Sequence, residues 1–153
     1  MGMTELNNHH ESRGRILIVD DDPNTLEILR RWLNREGYAT VSADNGPACL
    51  DALGKESVDV IVLDVMMPGM DGLQVCERLR EHTTWRTIPV MLLTAKDDIE
   101  TRSRGMLLGV SEYLTKPVNK HELFGRLEAQ LHSREIERRM EATAATVASM
   151  AKK

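Results

Sequence analysis

The stretch from Val58 to Gly72, VDVIVLDVMMPGMDG, limits the fold more than any other part of the chain. Val58, Val60, Ile61, Val62, Leu63 and Val65 form an almost unbroken apolar run, and a strand can be apolar on both faces only where both are covered. Such strands belong to parallel sheets with helices on either side. Asp64 then stands at the carboxyl end of the strand, and Pro68-Gly69 forces a loop directly behind it. In open α/β sheets, ligands and chemistry collect at that edge. The rest of the chain is therefore read for what else reaches it.

Arg15 to Val19 is a short β-branched run that ends in three carboxylates, Asp20, Asp21 and Asp22. Asp22-Pro23 is a helix start, with the acid as cap and proline at the first helical position. Leu26, Leu29, Trp32 and Leu33 keep helical spacing to about Glu36, where Gly37 supplies a stop. Tyr38 to Val41 is a thinner strand, and Asn45-Gly46-Pro47 opens a second helix that ends near Gly54. After the central strand a helix begins at Gly72 and decays between Glu81 and Thr87. Ile88 to Thr94 is a fourth strand with Pro89 at its entry. Asp97-Asp98 puts acid in the first turn of a helix that Gly109 closes near Leu108. Glu112 to Thr115 is a brief fifth strand, followed by Lys116-Pro117, and Asn119 with Glu122 makes a capping box for the last helix. Strands alternating with single helices imply right-handed crossovers and an α/β, flavodoxin-like, doubly wound five-stranded parallel sheet of order 2-1-3-4-5.

Composition narrows the function classes. A length of 153 residues with 41% hydrophobic content suits one domain plus an extension. The formal charge of −4 and the lack of a long basic run argue against nucleic acid as a direct partner. Cys49 and Cys76 have neither metal-binding nor redox spacing and read as reduced core thiols. No apolar run approaches the roughly 20 residues of a membrane helix, and the polar start lacks the apolar core of a signal peptide. A cytoplasmic protein without a membrane partner is expected, with residues 1–13 as a disordered lead-in, 14–131 as the domain and 132–153 as a helical extension or linker.

If strands one, three, four and five are neighbours, their ends bring Asp20, Asp21, Asp64, Thr94 and Lys116 together. Clustered carboxylates repel one another and favour a hard cation, and a partly open oxygen site suits Mg²⁺ with a phosphoryl co-ligand. A hydroxyl and an ammonium opposite them suit an arriving anion. Aspartyl-phosphate formation needs this combination of nucleophilic carboxylate, divalent metal, charge-absorbing lysine and orienting hydroxyl. Any one strand-end aspartate is ordinarily a loop or capping residue, Tyr113 alone reads as half-buried packing, and the Met66-Met67-Met70 cluster as loop packing. His82, His121 and His132 read as solvated.

The residues Val19-Asp20-Asp21, Leu63-Asp64-Val65-Met66-Met67-Pro68-Gly69-Met70-Asp71-Gly72, Leu93-Thr94-Ala95 and Tyr113-Leu114-Thr115-Lys116-Pro117 resemble the receiver domain of two-component response regulators, over about Arg15 to Leu131. Thr94, Tyr113 and Lys116 follow Asp64 by 30, 49 and 52 positions, which agrees with that family. The resemblance implies that Asp64 accepts a phosphoryl group from a sensor histidine kinase or phosphotransfer protein. It implies Mg²⁺ held by Asp21, by Asp20 through water, by Asp64 and by the backbone carbonyl of Met66. It implies Thr94 as the switch hydroxyl, Tyr113 as the aromatic that follows it, and Lys116 on the phosphoryl group beside a cis Lys116-Pro117 bond. The output face would be built by helix four, strand five and helix five, and could serve a homodimer. Such a receiver catalyses only its own phosphorylation and dephosphorylation. Met66 and Lys96 would flank the path of an attacking water, so slow self-dephosphorylation is expected.

Two rival readings use the same strand-end acid. A haloacid-dehalogenase-type aspartyl-phosphate hydrolase would carry a second Asp where this chain has Met66. A flavodoxin would have a hydroxyl- and glycine-rich first loop where this chain has Asp-Asp-Asp-Pro. Beyond Leu131, Ile136, Met140, Thr143, Val147 and Met150 alternate at spacings of four and three, a weak heptad pattern out of register with Leu131. A solvated helix, a dimerising coiled coil and a signalling helix toward an output outside this chain all fit that pattern.

Overall fold

The computed structural model describes residues 12–95 and 98–151. The expectations for residues 1–11, Lys96, Asp97 and the last two residues lie outside the described residues. Five strands, β1 (Arg15–Val19), β2 (Ala39–Ala43), β3 (Val60–Asp64), β4 (Val90–Thr94) and β5 (Glu112–Thr115), form one sheet of order β2-β1-β3-β4-β5. Every pairing is parallel. The connections are α1 (Pro23–Arg35), α2 (Gly46–Lys55), α3 (Gly72–Glu81) and α4 (Ile99–Leu107), with α5 (Lys120–Ala151) closing the chain and a 3₁₀ turn at Trp85–Thr87 before β4. The doubly wound architecture expected from alternating strands and helices is the one observed.

All five residues of β3 are buried, and so are all five of β4. The pleat sends Leu17, Ile61, Leu63 and Leu92 into a core under α2 and α3, where Cys49 and Cys76 also lie. Ile16, Ile18, Val60, Val62, Met91 and Leu93 enter the opposite core under α1 and α5, against Leu29, Leu33, Leu123 and Leu127. Two-sided burial explains why the central strands read as continuous apolar runs. It also confines polar side chains to the strand ends, and at the carboxyl ends Asp20, Asp64 and Thr94 are buried.

Element boundaries follow the hydrogen-bonding capacity of particular residues. Asp22 caps α1, its Oδ1 accepting from the Asn24 N–H at 3.0 Å and its Oδ2 from the Thr25 hydroxyl at 3.0 Å. β4 begins at Val90 and not at Ile88 because Pro89 has no N–H to give the ladder, although its carbonyl still accepts from Ile61 at 3.0 Å. Tyr38, read as strand, precedes β2 and packs into the α1/α5 core, and β2 continues to Ala43. At α5 only half of the expected capping box forms. Asn119 Oδ1 accepts from the Glu122 N–H at 2.9 Å, but the Glu122 carboxylate turns to Arg126 Nε at 3.2 Å. A reciprocal box stands at α3, where Asp71 and Gln74 each accept the other's backbone N–H at 2.9 Å. His82 is not simply solvated. Its Nδ1 accepts from the Thr84 and Trp85 N–H groups at 3.1 and 3.2 Å, and its ring stacks on Trp85 at 3.8 Å.

Arg13, at the edge of the expected lead-in, ties the start of the fold to two helices. Its guanidinium reaches Glu128 on α5 at 2.6 Å and Glu36 at 3.5 Å, and lies 4.7 Å above the Tyr38 ring.

The tightest backbone approach lies directly behind Asp64. A Cβ on Gly72 would stand 2.6 Å from the Asp64 carbonyl oxygen and 2.8 Å from Val65 Cα, so α3 can start against β3 only at glycine. Gly54, inside α2, has nothing within 4 Å of such an atom. Gly72→Ala is expected to destabilise the fold by about 1–3 kcal/mol through overpacking. Gly54→Ala should instead stabilise it by about 0.5–1 kcal/mol through helix propensity, both read from urea unfolding.

Candidate functional site

Neighbouring strand ends bring the carboxylates together. β1 and β3 are adjacent, so the residue after Val19 and the last residue of β3 lie side by side. Asp20 is fully buried and Asp64 is 2% exposed, whereas Asp21 faces solvent. One carboxylate oxygen from each of the three falls within a cluster no wider than 4.8 Å. β4 adds Thr94, and β5 delivers Lys116 just past its end, before a cis Lys116-Pro117 bond.

A single ammonium holds the buried acids. Lys116 Nζ lies 2.9 Å from Asp20 Oδ2 and 3.0 Å from Asp64 Oδ1. Asp20 Oδ1 also accepts from the Asp22 N–H at 2.9 Å, which locks that carboxylate in place. Asp64 receives less: beyond Lys116 it accepts from the Met66 N–H at 3.4 Å. Burial pushes the Asp64 carboxyl up to about 6, the Lys116 hydrogen bond works against this, and the charge of Asp20 adds to it. Burial would lower the Lys116 ammonium, but its bonds to Asp20 and Asp64 leave it raised. Among the described residues, three carboxylates meet one cation in that small volume and form an electrostatically unsatisfied cluster. All the donors are hard oxygens and Asp21 is open to water, so the set fits a divalent cation of the Mg²⁺ or Ca²⁺ type.

Thr94 is 2% exposed, and its hydroxyl has no hydrogen-bond partner among the described residues. A buried hydroxyl in that condition costs on the order of 1–3 kcal/mol, and the acceptor it lacks is one that an arriving anion would supply. The Met66 side chain is 72% exposed beside the acid pocket, while Met67 is buried and Met70 packs against Gly46.

Tyr113 is half-buried between β5 and α4. Its hydroxyl donates to the Arg102 carbonyl, and its Oη would lie 2.5 Å from a Cβ on Gly105, so glycine there is what admits the ring. The Arg102 guanidinium returns over the same ring at 5.9 Å and donates to Thr115 Oγ1 at 2.7 Å. This Tyr113–Gly105–Arg102–Thr115 cluster joins α4 to the strand that carries Lys116. Nothing in the local pattern around Arg102 or Gly105 marks them, because their roles arise only when α4 packs on β5.

The electrostatics carry a signed stability consequence. The folded-state pKa of Asp64 lies above the ordinary carboxylate value, so its protonated form stabilises the fold below about pH 4 and that contribution is lost as pH rises through about 6. In EDTA, wild type should lose on the order of 2 kcal/mol relative to Asp64→Asn between pH 4 and 7 in denaturant unfolding. Parallel pH profiles for the two proteins would contradict it.

Comparison with known proteins agrees with the geometry. The family described as response regulator receiver domain matches residues 16–128. Response regulator MprA of Mycobacterium avium is 40% identical over 136 residues, covering 89% of this chain and 59% of the relative, so the chain spans little more than half the length of that curated protein. The Vibrio cholerae chemotaxis response regulator CheY4 superposes with a TM-score of 0.72 at 29% identity, over 76% of this chain and 98% of its own. Full-length FixJ from B. japonicum superposes with a TM-score of 0.77 at 29% identity, over 90% of this chain and 67% of its own. No described helix is long and apolar enough to cross a membrane. With a sheet order, an acid cluster and a sequence match that coincide over the same residues, the chain belongs to the response regulator receiver domain family of two-component signalling.

Proposed function

We propose that this receiver is switched by transfer of a phosphoryl group to Asp64, from a phosphohistidine on a sensor kinase or phosphotransfer protein in the cytoplasm. The observation that carries the reading is the shared Lys116 contact at 2.9 and 3.0 Å to two buried carboxylates, Asp20 and Asp64. Of the two buried acids Asp64 is the more loosely held, its backbone hydrogen bond 3.4 Å long against 2.9 Å at Asp20, which suits a nucleophile. In the transfer, an Asp64 oxygen bonds to phosphorus as the phosphorus–nitrogen bond breaks, and the imidazole leaves with a proton. Lys116 moves from its carboxylate partners to a phosphoryl oxygen, and the Thr94 hydroxyl gains the acceptor it lacks. Asp20, Asp21, Asp64 and the Met66 carbonyl would hold Mg²⁺, which when bound offsets the negative charge that the phosphoryl group brings to three carboxylates.

The switch is a population shift that the new anion biases. Drawing Thr94 toward the phosphoryl group alters the end of β4, and Tyr113, with Gly105 and Arg102 around it, is placed to relay the change to α4. The solvent face of α4 carries Ile99, Met106 and Leu107, 70–88% exposed, which suits an output surface of α4, β5 and α5. Between α1 and the start of α5, Ile28, Trp32, Pro117 and Val118 line an apolar hollow of about 240 Å³ that also reaches Lys116, a surface on which a protein donor could seat beside the acceptor. The hydrolase reading lacks support: Met66 stands where its second acid would be, and the family match lies elsewhere. Direct binding of nucleic acid is not part of the proposal.

Incubation with acetyl phosphate and Mg²⁺ should add the mass of one phosphoryl group to wild type and none to Asp64→Asn; no gain in wild type would overturn the reading. The exposed apolar Met66 beside the acceptor should shield the acyl phosphate from water. Met66→Asn is therefore expected to hasten its decay severalfold in a time course of intact mass, and an unchanged rate would remove that role.

A further inference from the structure

The extension of α5 has two opposed faces. At 3.6 residues per turn, Leu123, Leu127, Leu131, Arg134 and Arg138 fall along one stripe, and Ile136, Met140, Thr143, Val147 and Met150 fall along another, about 180° away. The first stripe faces the receiver body. Leu123 and Leu127 are fully buried, the Arg134 guanidinium donates to the Thr87 carbonyl at 3.1 Å, and Arg138 reaches Asp59 Oδ1 at 3.5 Å. These ties hold α5 against the amino-terminal edge of the sheet for almost two turns beyond Leu131. The second stripe points away from the body, with Ile136, Met140, Val147 and Met150 43–67% exposed.

The chain's own sheet cannot cover that stripe without breaking the Arg134 and Arg138 contacts. Its spacing of four, three, four and three is the period of a helix paired with a helix, not of one lying on a sheet. Among the described residues, α1 to α3 commit their buried apolar side chains to the sheet. A second copy of α5 matches the stripe in length and period. In a parallel, in-register pair, Ile136, Met140, Val147 and Met150 each meet their own counterpart. Glu137 faces His132 of the second copy and Arg139 faces Ala144, so no like charges meet across the seam.

We propose that this chain forms a parallel homodimer through the Ile136–Met150 seam of α5, with the two receiver bodies on the outside. The receiver supplies the helix nucleus, so pairing needs only propagation from turns that are already packed. The seam spans about 21 Å, or two heptads, so the dimer is weak and depends on concentration.

Sedimentation of the full chain without Mg²⁺ or phosphodonor tests this independently of Asp64. Wild type should pass from monomer to dimer between micromolar and submillimolar concentration. The double variant Met140→Lys, Val147→Lys should associate more than about tenfold more weakly. Both substituted positions are exposed, so its far-ultraviolet circular dichroism should match wild type. Cys49 and Cys76 are buried, so Val147→Cys offers a single accessible thiol and should cross-link on oxidation. Wild type that stays monomeric throughout, a lysine variant that dimerises as wild type does, or a dimer that Val147→Cys fails to cross-link would each overturn the proposal.

Discussion

Two carboxylates buried side by side under one ammonium set the terms for the rest of this structure. Asp20 and Asp64 can sit together at the carboxyl edge only because Lys116 lies within 3.0 Å of both. Lys116 can reach them only because β5 ends where it does, two strands from β3. The pairing offsets much of the desolvation cost, but not all of it, as the upward displacement of the Asp64 carboxyl to about 6 records. A fold that keeps an acid cluster incompletely satisfied retains a site that a cation and an anion together can complete. The Thr94 hydroxyl, without a partner among the described residues, is the same kind of feature at the end of the neighbouring strand.

Much of this was legible in the sequence because parallel strands report themselves plainly. A strand apolar on both faces can carry a carboxylate only at its ends, and Asp64, Thr94 and Lys116 occupy corresponding ends of neighbouring strands. The sheet order and the convergence of those residues follow from that regularity. Less legible was whatever depends on how one helix turns against another. Arg102 and Gly105 matter because α4 brings them against Tyr113. Gly109 is left-handed at φ 76° where Arg80 packs against it, its guanidinium bonded to the Leu108 carbonyl. His82 looked solvated because a histidine after a helix has no periodicity to betray the two N–H groups it caps.

The two ends of α5 have different mechanical roles. Its first turns stand beside Lys116, at the edge where charge would arrive, and Arg134 and Arg138 fix its middle to the opposite edge near Thr87 and Asp59. A helix held at both edges of one sheet is a rigid strut, and a change at β4 or β5 can alter how its far end is presented. The apolar seam beyond Arg134 thus belongs to the helix that begins four residues after Lys116. The register break between Leu131 and Ile136, which weakens the pattern as one continuous coiled coil, is the geometric step that turns the seam away from the body.

The central claim is that Asp64 is the chemically distinct member of the acid cluster. The most direct measurement is reduction of the acetyl-phosphate-treated protein with borohydride, which converts an acyl phosphate to the corresponding alcohol, followed by peptide mass mapping. Homoserine at position 64, with Asp20 and Asp21 unmodified, is the expected result. Homoserine at position 20 or 21, or none anywhere in a protein shown to carry the phosphoryl group, would contradict it.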